Sequence, residues 1–97
     1  MHVIAVKPLK DFWNRHPDSE GPLQAWYHEA KDAHWKNSAE LKVRYPSASI
    51  INSERAVFNI GGNKYRLVVR INYKSETVFV RFVGTHAAYD RIDPEKF

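Results

Sequence analysis

The residues of this chain best suited to chemistry on a charged substrate are Arg66, Arg81, His86 and Tyr89, all in its second half. A histidine exchanges a proton near neutral pH, and an arginine fork holds two phosphate oxygens and stabilises charge that builds on phosphorus. A tyrosine stacks on a base or positions a nucleotide. Together these parts suffice for metal-free cleavage of RNA, in which a ribose 2′-hydroxyl attacks the adjacent phosphorus and the 5′-oxygen leaves with a proton. Asn59, Lys64, Arg70, Lys74 and Arg91 lie close enough in sequence to widen the contact with a polyanion. Residues 61–91 hold six Lys and Arg against two acidic residues, so their net charge of +4 equals that of the whole chain. The same basic surface also allows two other readings: a module that binds RNA or the ribosome without cutting, and a face that only docks an acidic protein.

The elements that position these residues follow from periodicity. Val3 to Val6 is an apolar run suited to an opening strand. Pro8 fits a first helical turn, with Leu9, Phe12, Trp13 and His16 at helical spacing before Pro17 ends the run. Asp18 or Ser19 is expected to cap a second helix carrying Leu23, Trp26, Tyr27, Ala30 and Ala33 or His34 on one stripe. Asn37 or Ser38 caps a shorter helix with Leu41 and Tyr45, which Pro46 stops.

After Ser47 the period becomes two. Ala56, Phe58 and Ile60 alternate with polar positions up to a tight turn centred on Gly62-Asn63. Tyr65, Leu67, Val69, Ile71 and Tyr73 then share one face, with Lys64, Arg66, Val68, Arg70 and Asn72 on the other. A second turn centred on Ser75-Glu76 would pair Tyr73 with Val78, Ile71 with Val80 and Val69 with Phe82 on the core side, with Arg70 across from Arg81. The first turn pairs Ile60 with Tyr65, Phe58 with Leu67, Asn59 with Arg66 and Arg55 with Arg70. Arginines directly opposed on one sheet face repel by up to ~1 kcal/mol, so each such pair requires a carboxylate or a bound phosphate nearby. A short helix is expected within 86–92.

Composition removes many alternatives. Ninety-seven residues suit one small domain spanning 1–97, too short for separate cofactor and substrate lobes. The hydrophobic fraction of 43% supports a packed core rather than a disordered basic tail. Without cysteine there is no thiol nucleophile or Cys-based zinc site, and His28 and His34 are too far apart on a helix to share a metal, so no metal or cofactor is expected. Gly61-Gly62-Asn63 lacks the continuation of a phosphate loop. No run approaches the ~18 apolar residues of a membrane span, and a cytoplasmic location with no membrane partner is expected.

The runs Val57-Phe58-Asn59-Ile60-Gly61-Gly62-Asn63-Lys64-Tyr65-Arg66-Leu67-Val68-Val69, Val80-Arg81-Phe82-Val83-Gly84-Thr85-His86 and Tyr89-Asp90-Arg91-Ile92-Asp93 resemble the HigB-type toxins of bacterial type II toxin–antitoxin modules. Upstream, Ala25-Trp26-Tyr27 and Arg44-Tyr45-Pro46-Ser47-Ala48 fit the same pattern. The resemblance implies a RelE-like α+β fold: N-terminal helices on a mainly antiparallel sheet, then a short C-terminal helix. It also implies a ribosome-associated mRNA interferase that arrests translation and growth. The implied partners are mRNA, the ribosome and a HigA-type helix-turn-helix antitoxin, with operator DNA reached only through that antitoxin. Carried over by position, Arg66, Arg81, His86 and Tyr89 fall on motif positions of the RNA-cleaving face. Ala88 departs from the family pattern, which commonly has glutamate there. A weakened nuclease follows if that carboxylate serves His86.

Overall fold

A computed structural model describes residues 1–97. Strand β1 (His2–Ile4) leads into helix α1 (Lys7–Arg15), a 3-10 turn (Pro17–Ser19), helix α2 (Glu20–Asp32) and helix α3 (Ser38–Arg44). Strands β2 (Ser49–Ile50), β3 (Arg55–Ile60), β4 (Tyr65–Asn72) and β5 (Thr77–Thr85) follow, then helix α4 (His86–Tyr89) and a 3-10 turn at Pro94–Lys96. The five strands form one sheet in the order β1-β5-β4-β3-β2, with β1 parallel to β5 and every other pair antiparallel. This is the expected α+β arrangement, with helices on one sheet face and a short helix near the C-terminus. The two-residue strand β2 was not expected.

Local chemistry explains the helix ends. Asn37 caps α3 by accepting the Glu40 N–H at 3.0 Å, while a Glu40 carboxylate oxygen reaches back to the Lys36 N–H at 3.2 Å. The α2 stripe buries Leu23, Trp26 and Ala30 against the sheet. Trp26, Trp35 and Tyr45 surround Phe58 of β3, with ring centroids 5.4, 6.4 and 5.0 Å from it. Trp35 is buried in the α2–α3 connection. His16 takes the boundary position its apolar stripe suggested, stacked on Phe12 at 4.3 Å.

The first hairpin has the expected register from Arg55–Arg70 through Ile60–Tyr65. The Lys64 N–H bonds the Gly61 carbonyl at 3.4 Å, placing Gly62-Asn63 at the turn centre. Gly62 has φ +71°, a conformation that glycine adopts without a Cβ penalty.

The second hairpin departs from expectation twice. Asn72 accepts the Ser75 N–H through its side chain at 3.0 Å, which closes a four-residue loop and pairs Asn72 with Thr77. Ile71 therefore meets Val78 and Val69 meets Val80; this two-residue shift keeps the same side chains on the core face. A β-bulge then intervenes, because Val69 pairs with Val80 but Val68 pairs with Phe82, leaving Arg81 as the extra residue. Beyond it the phase reverses. Val83 packs on the main core, whereas Phe82, expected in the core, meets Phe97 on the other face with ring centroids 5.7 Å apart.

Candidate active site

Arg66, His86 and Tyr89 lie at one end of the β4–β5 pair. Arg66 pairs across β4–β5 with Gly84, two residues before His86. The His86 N–H donates to the Lys64 carbonyl at 3.1 Å, tying the first residue of α4 to the end of the β3–β4 turn. Thr85 caps α4 by accepting the Ala88 N–H at 3.1 Å. This cap places the His86 side chain one turn before Asp90, whose carboxylate lies 3.0 Å from Nδ1. When Nδ1 carries the proton and donates it to Asp90, Nε2 is left free to exchange a proton with a ligand. Tyr89, in the same turn, is half-buried and Arg91 is exposed.

Arg66 and Arg81 are free of carboxylates. Arg66 donates only to the Asn63 and Tyr65 carbonyls, at 3.1 and 3.3 Å, and Arg81 is exposed with no protein partner. Guanidinium N–H groups thus remain available to an anion. Asn59 sits across from Arg66, but its side-chain amide donates to the Ser47 carbonyl at 3.2 Å.

Lys64 and Arg70 are occupied differently from expectation. Lys64 Nζ is 2.7 Å from one carboxylate oxygen of Asp18, and the Tyr65 hydroxyl donates to the other at 2.6 Å. The Lys64 ammonium, and then the Tyr65 hydroxyl, hold the Asp18 carboxyl below its usual pKa, and Asp18 in turn raises Lys64 and Tyr65. Arg70 faces Phe79, not Arg81. Its expected opposition to Arg55 is present, and Glu54 relieves it, at 3.0 Å from Arg70 and 3.8 Å from Arg55.

The single arginine face expected from strand alternation is therefore divided. Arg66 and Arg70 lie four residues apart on β4, about 13 Å at ~3.3 Å per residue. Val68 between them is fully buried, as is Val57 on the neighbouring strand. The C-terminal segment contributes to this second apolar patch, with Phe97 against Phe82 and the Phe97 main-chain oxygen accepting from Arg55 Nε at 2.7 Å. Lys74, exposed in the β4–β5 turn, belongs to the far end with Arg70. No group of three or more His, Cys, Asp or Glu assembles as a metal-binding cluster.

Two residues here were not identified as site residues from sequence; Asp18 is expected only as a helix cap, and α2 has no side-chain cap. Asp90 has a legible signal, the four-residue spacing from His86 on a short helix. Asp18 has none, because its contacts with Lys64 and Tyr65 cross 46 and 47 residues.

Residues 19–92 match the family described as HigB_toxin, RelE-like toxic component of a toxin-antitoxin system. The chain belongs to this family. It is 33% identical over 92 residues to the mRNA interferase toxin HigB of Escherichia coli (strain K12), covering 93% of this chain and 88% of that protein. The mRNA interferase HigB of Shigella flexneri matches to the same extent. A more distant relative, the mRNA interferase HigB of Escherichia coli O6:H1, is 24% identical over 94 residues, covering 95% of this chain and 91% of that protein. No helix of this toxin-family chain is long and apolar enough to cross a membrane.

Proposed function

We propose that this toxin is an mRNA interferase whose cleavage edge is formed by Arg66, Arg81, His86 and Tyr89. What supports the reading is that Arg66 pairs with Gly84, two residues before a histidine whose Nδ1 is engaged by Asp90, and that Arg66 and Arg81 are both free of carboxylates. The ribose 2′-hydroxyl attacks the adjacent phosphorus in line, and the bond to the 5′-oxygen breaks. His86 Nε2 exchanges the proton, taking it from the nucleophile or delivering it to the leaving oxygen. Arg81 and Arg66 stabilise the charge that builds on the phosphoryl oxygens, and Tyr89 holds the neighbouring base or nucleotide. Arg91 and Asn59 flank the edge as secondary RNA contacts, while Lys64, Arg70 and Lys74 act through the general positive field.

So few groups suffice if another body aligns the RNA, because positioning alone removes several kcal/mol of barrier. The translating ribosome is the proposed aligner. The antitoxin is proposed to be a HigA-type helix-turn-helix protein through which the pair reaches operator DNA.

Cleavage of a defined mRNA, with and without translating ribosomes, tests this. Arg81→Ala weakens both binding and cutting. His86→Ala spares binding and lowers the cleavage rate by about 10²–10⁴. Cleavage that persists undiminished in His86→Ala refutes the assignment, and binding without cutting by the unaltered chain returns the protein to a non-catalytic RNA-binding module.

A further inference from the structure

The helical layer carries a feature that RNA cleavage does not use. A groove of about 660 Å³ lies between the end of α2 and α3, with Trp35, Tyr45 and Val43 as its apolar lining and Asp32, Glu40 and Glu29 among its polar residues. Val43 is 82% exposed, against 41% and 37% for Ile4 and Ile50, the other exposed large aliphatic residues. Such a side chain beside a groove gains from a partner that removes it from water.

The charges around it select the partner. Glu29 is bound by Arg44 and the Tyr45 hydroxyl, and His34 is engaged 2.7 Å from Glu76. Asp32 has no cation within pairing distance; Glu40 takes only the backbone N–H of Lys36 through its side chain. On a chain of net charge +4, this groove is therefore locally acidic. It repels a nucleic-acid backbone and attracts a basic segment that also offers an apolar side chain.

A second pocket flanks the groove on the side of the β3–β4 hairpin. This smaller crevice of about 130 Å³ shares Glu29 and Tyr45 with the groove and extends to Asn59 and Gly61 on the β3–β4 hairpin, the hairpin that carries Lys64 and Arg66.

We propose that this trough is the docking surface for the antitoxin, which presents a segment with an apolar anchor flanked by lysine or arginine. The apolar side chain covers Val43 and Trp35, and the basic residues meet Asp32 and Glu40. The family membership supplies the partner class, since the toxic component of such a system has a protein counterpart. Docking here does not depend on which residues cut RNA.

Titration of the full-length toxin with its purified cognate antitoxin, by calorimetry at low and high salt, tests the assignment. Val43→Glu and the double substitution Asp32→Lys, Glu40→Gln, which keeps an acceptor for the Lys36 N–H, each weaken binding at least tenfold. Both leave the thermal melt and the RNA cleavage of the free toxin unchanged, and the double substitution flattens the salt dependence. Unchanged affinity in both variants overturns the proposal. So does a change in the toxin's own oligomeric state on Val43→Glu, which would make the trough a contact between copies of this chain. If Val43→Glu lowers the melt, Val43→Ser replaces it, and unchanged affinity there counts equally against docking. Loss of RNA cleavage by His86→Ala with antitoxin affinity retained keeps a failure at the cleavage edge distinct from a failure here.

Discussion

Gly84 should be irreplaceable for a reason confined to one neighbour. A Cβ at this position would lie 2.5 Å from Phe82 Cζ and 3.0 Å from its Cε1, well inside contact distance. The Phe82 ring folds across the glycine because the bulge at Arg81 has turned it away from the core, and Phe97 stands edge-on at 5.7 Å to block its retreat. Gly84→Ala must therefore displace a held ring, an overpacking cost of about 1–3 kcal/mol. For a domain of this size that lowers the melting temperature by roughly 4–24 °C. The same change disturbs the strand position facing Arg66, so RNA cleavage should fall as well. A double-mutant cycle isolates the cause, with urea unfolding of Gly84→Ala measured in the native and Phe82→Ala backgrounds. If the ring creates the need for glycine, the alanine costs less than ~0.5 kcal/mol once the ring is gone. An equal cost in both backgrounds would refute the reasoning.

Three further outcomes follow from the same geometry. Asp18 has a depressed pKa in the folded state, so its stabilisation is present above the ordinary carboxylate range and lost as pH falls through the folded value; Asp18→Asn should flatten the acid limb of urea midpoints measured from about pH 7 down to 2. Ala88 is the third residue of α4 behind the Thr85 cap, so Ala88→Glu should complete a capping box and stabilise α4 by roughly 0.5–1 kcal/mol, read as slower amide exchange. Growth arrest on induction of the same variant separates capping from proton relay, since equal toxicity removes any need for a carboxylate at this position. Lys64→Ala and Arg70→Ala, whose charges are already paired, should lower RNA affinity less than Arg81→Ala in filter binding at one salt concentration.

What was legible in the sequence is what short-range physics controls. The α3 cap at Asn37, the stop at Pro46, the turn at Gly62-Asn63 and the alternation of β4 all act within a few residues, so spacing alone identifies them. The concentration of positive charge in residues 61–91 and the nearness of Arg66, Arg81, His86 and Tyr89 in the chain were equally plain. The second hairpin shows where this stops. Alternation specifies which side chains face the core but is blind to a two-residue shift, and the Ser75 N–H donating to the Asn72 side chain accompanies one here.

The tertiary structure decided which charges are free. Asp18 and Glu54 claim Lys64 and Arg70 through contacts that only the packed chain creates, and the two-residue register shift takes Arg81 out of line with Arg70. The basic stretch thus holds open guanidinium groups at Arg66 and Arg81, charges already paired at Lys64 and Arg70, and a buried apolar patch between Arg66 and Arg70. The acidic trough beside Val43 has the same origin, since α2 and α3 form it only when packed on the sheet. Periodicity places a side chain on a face; its nearest opposite charge is set by chain segments distant in sequence, and only the folded chain brings those together.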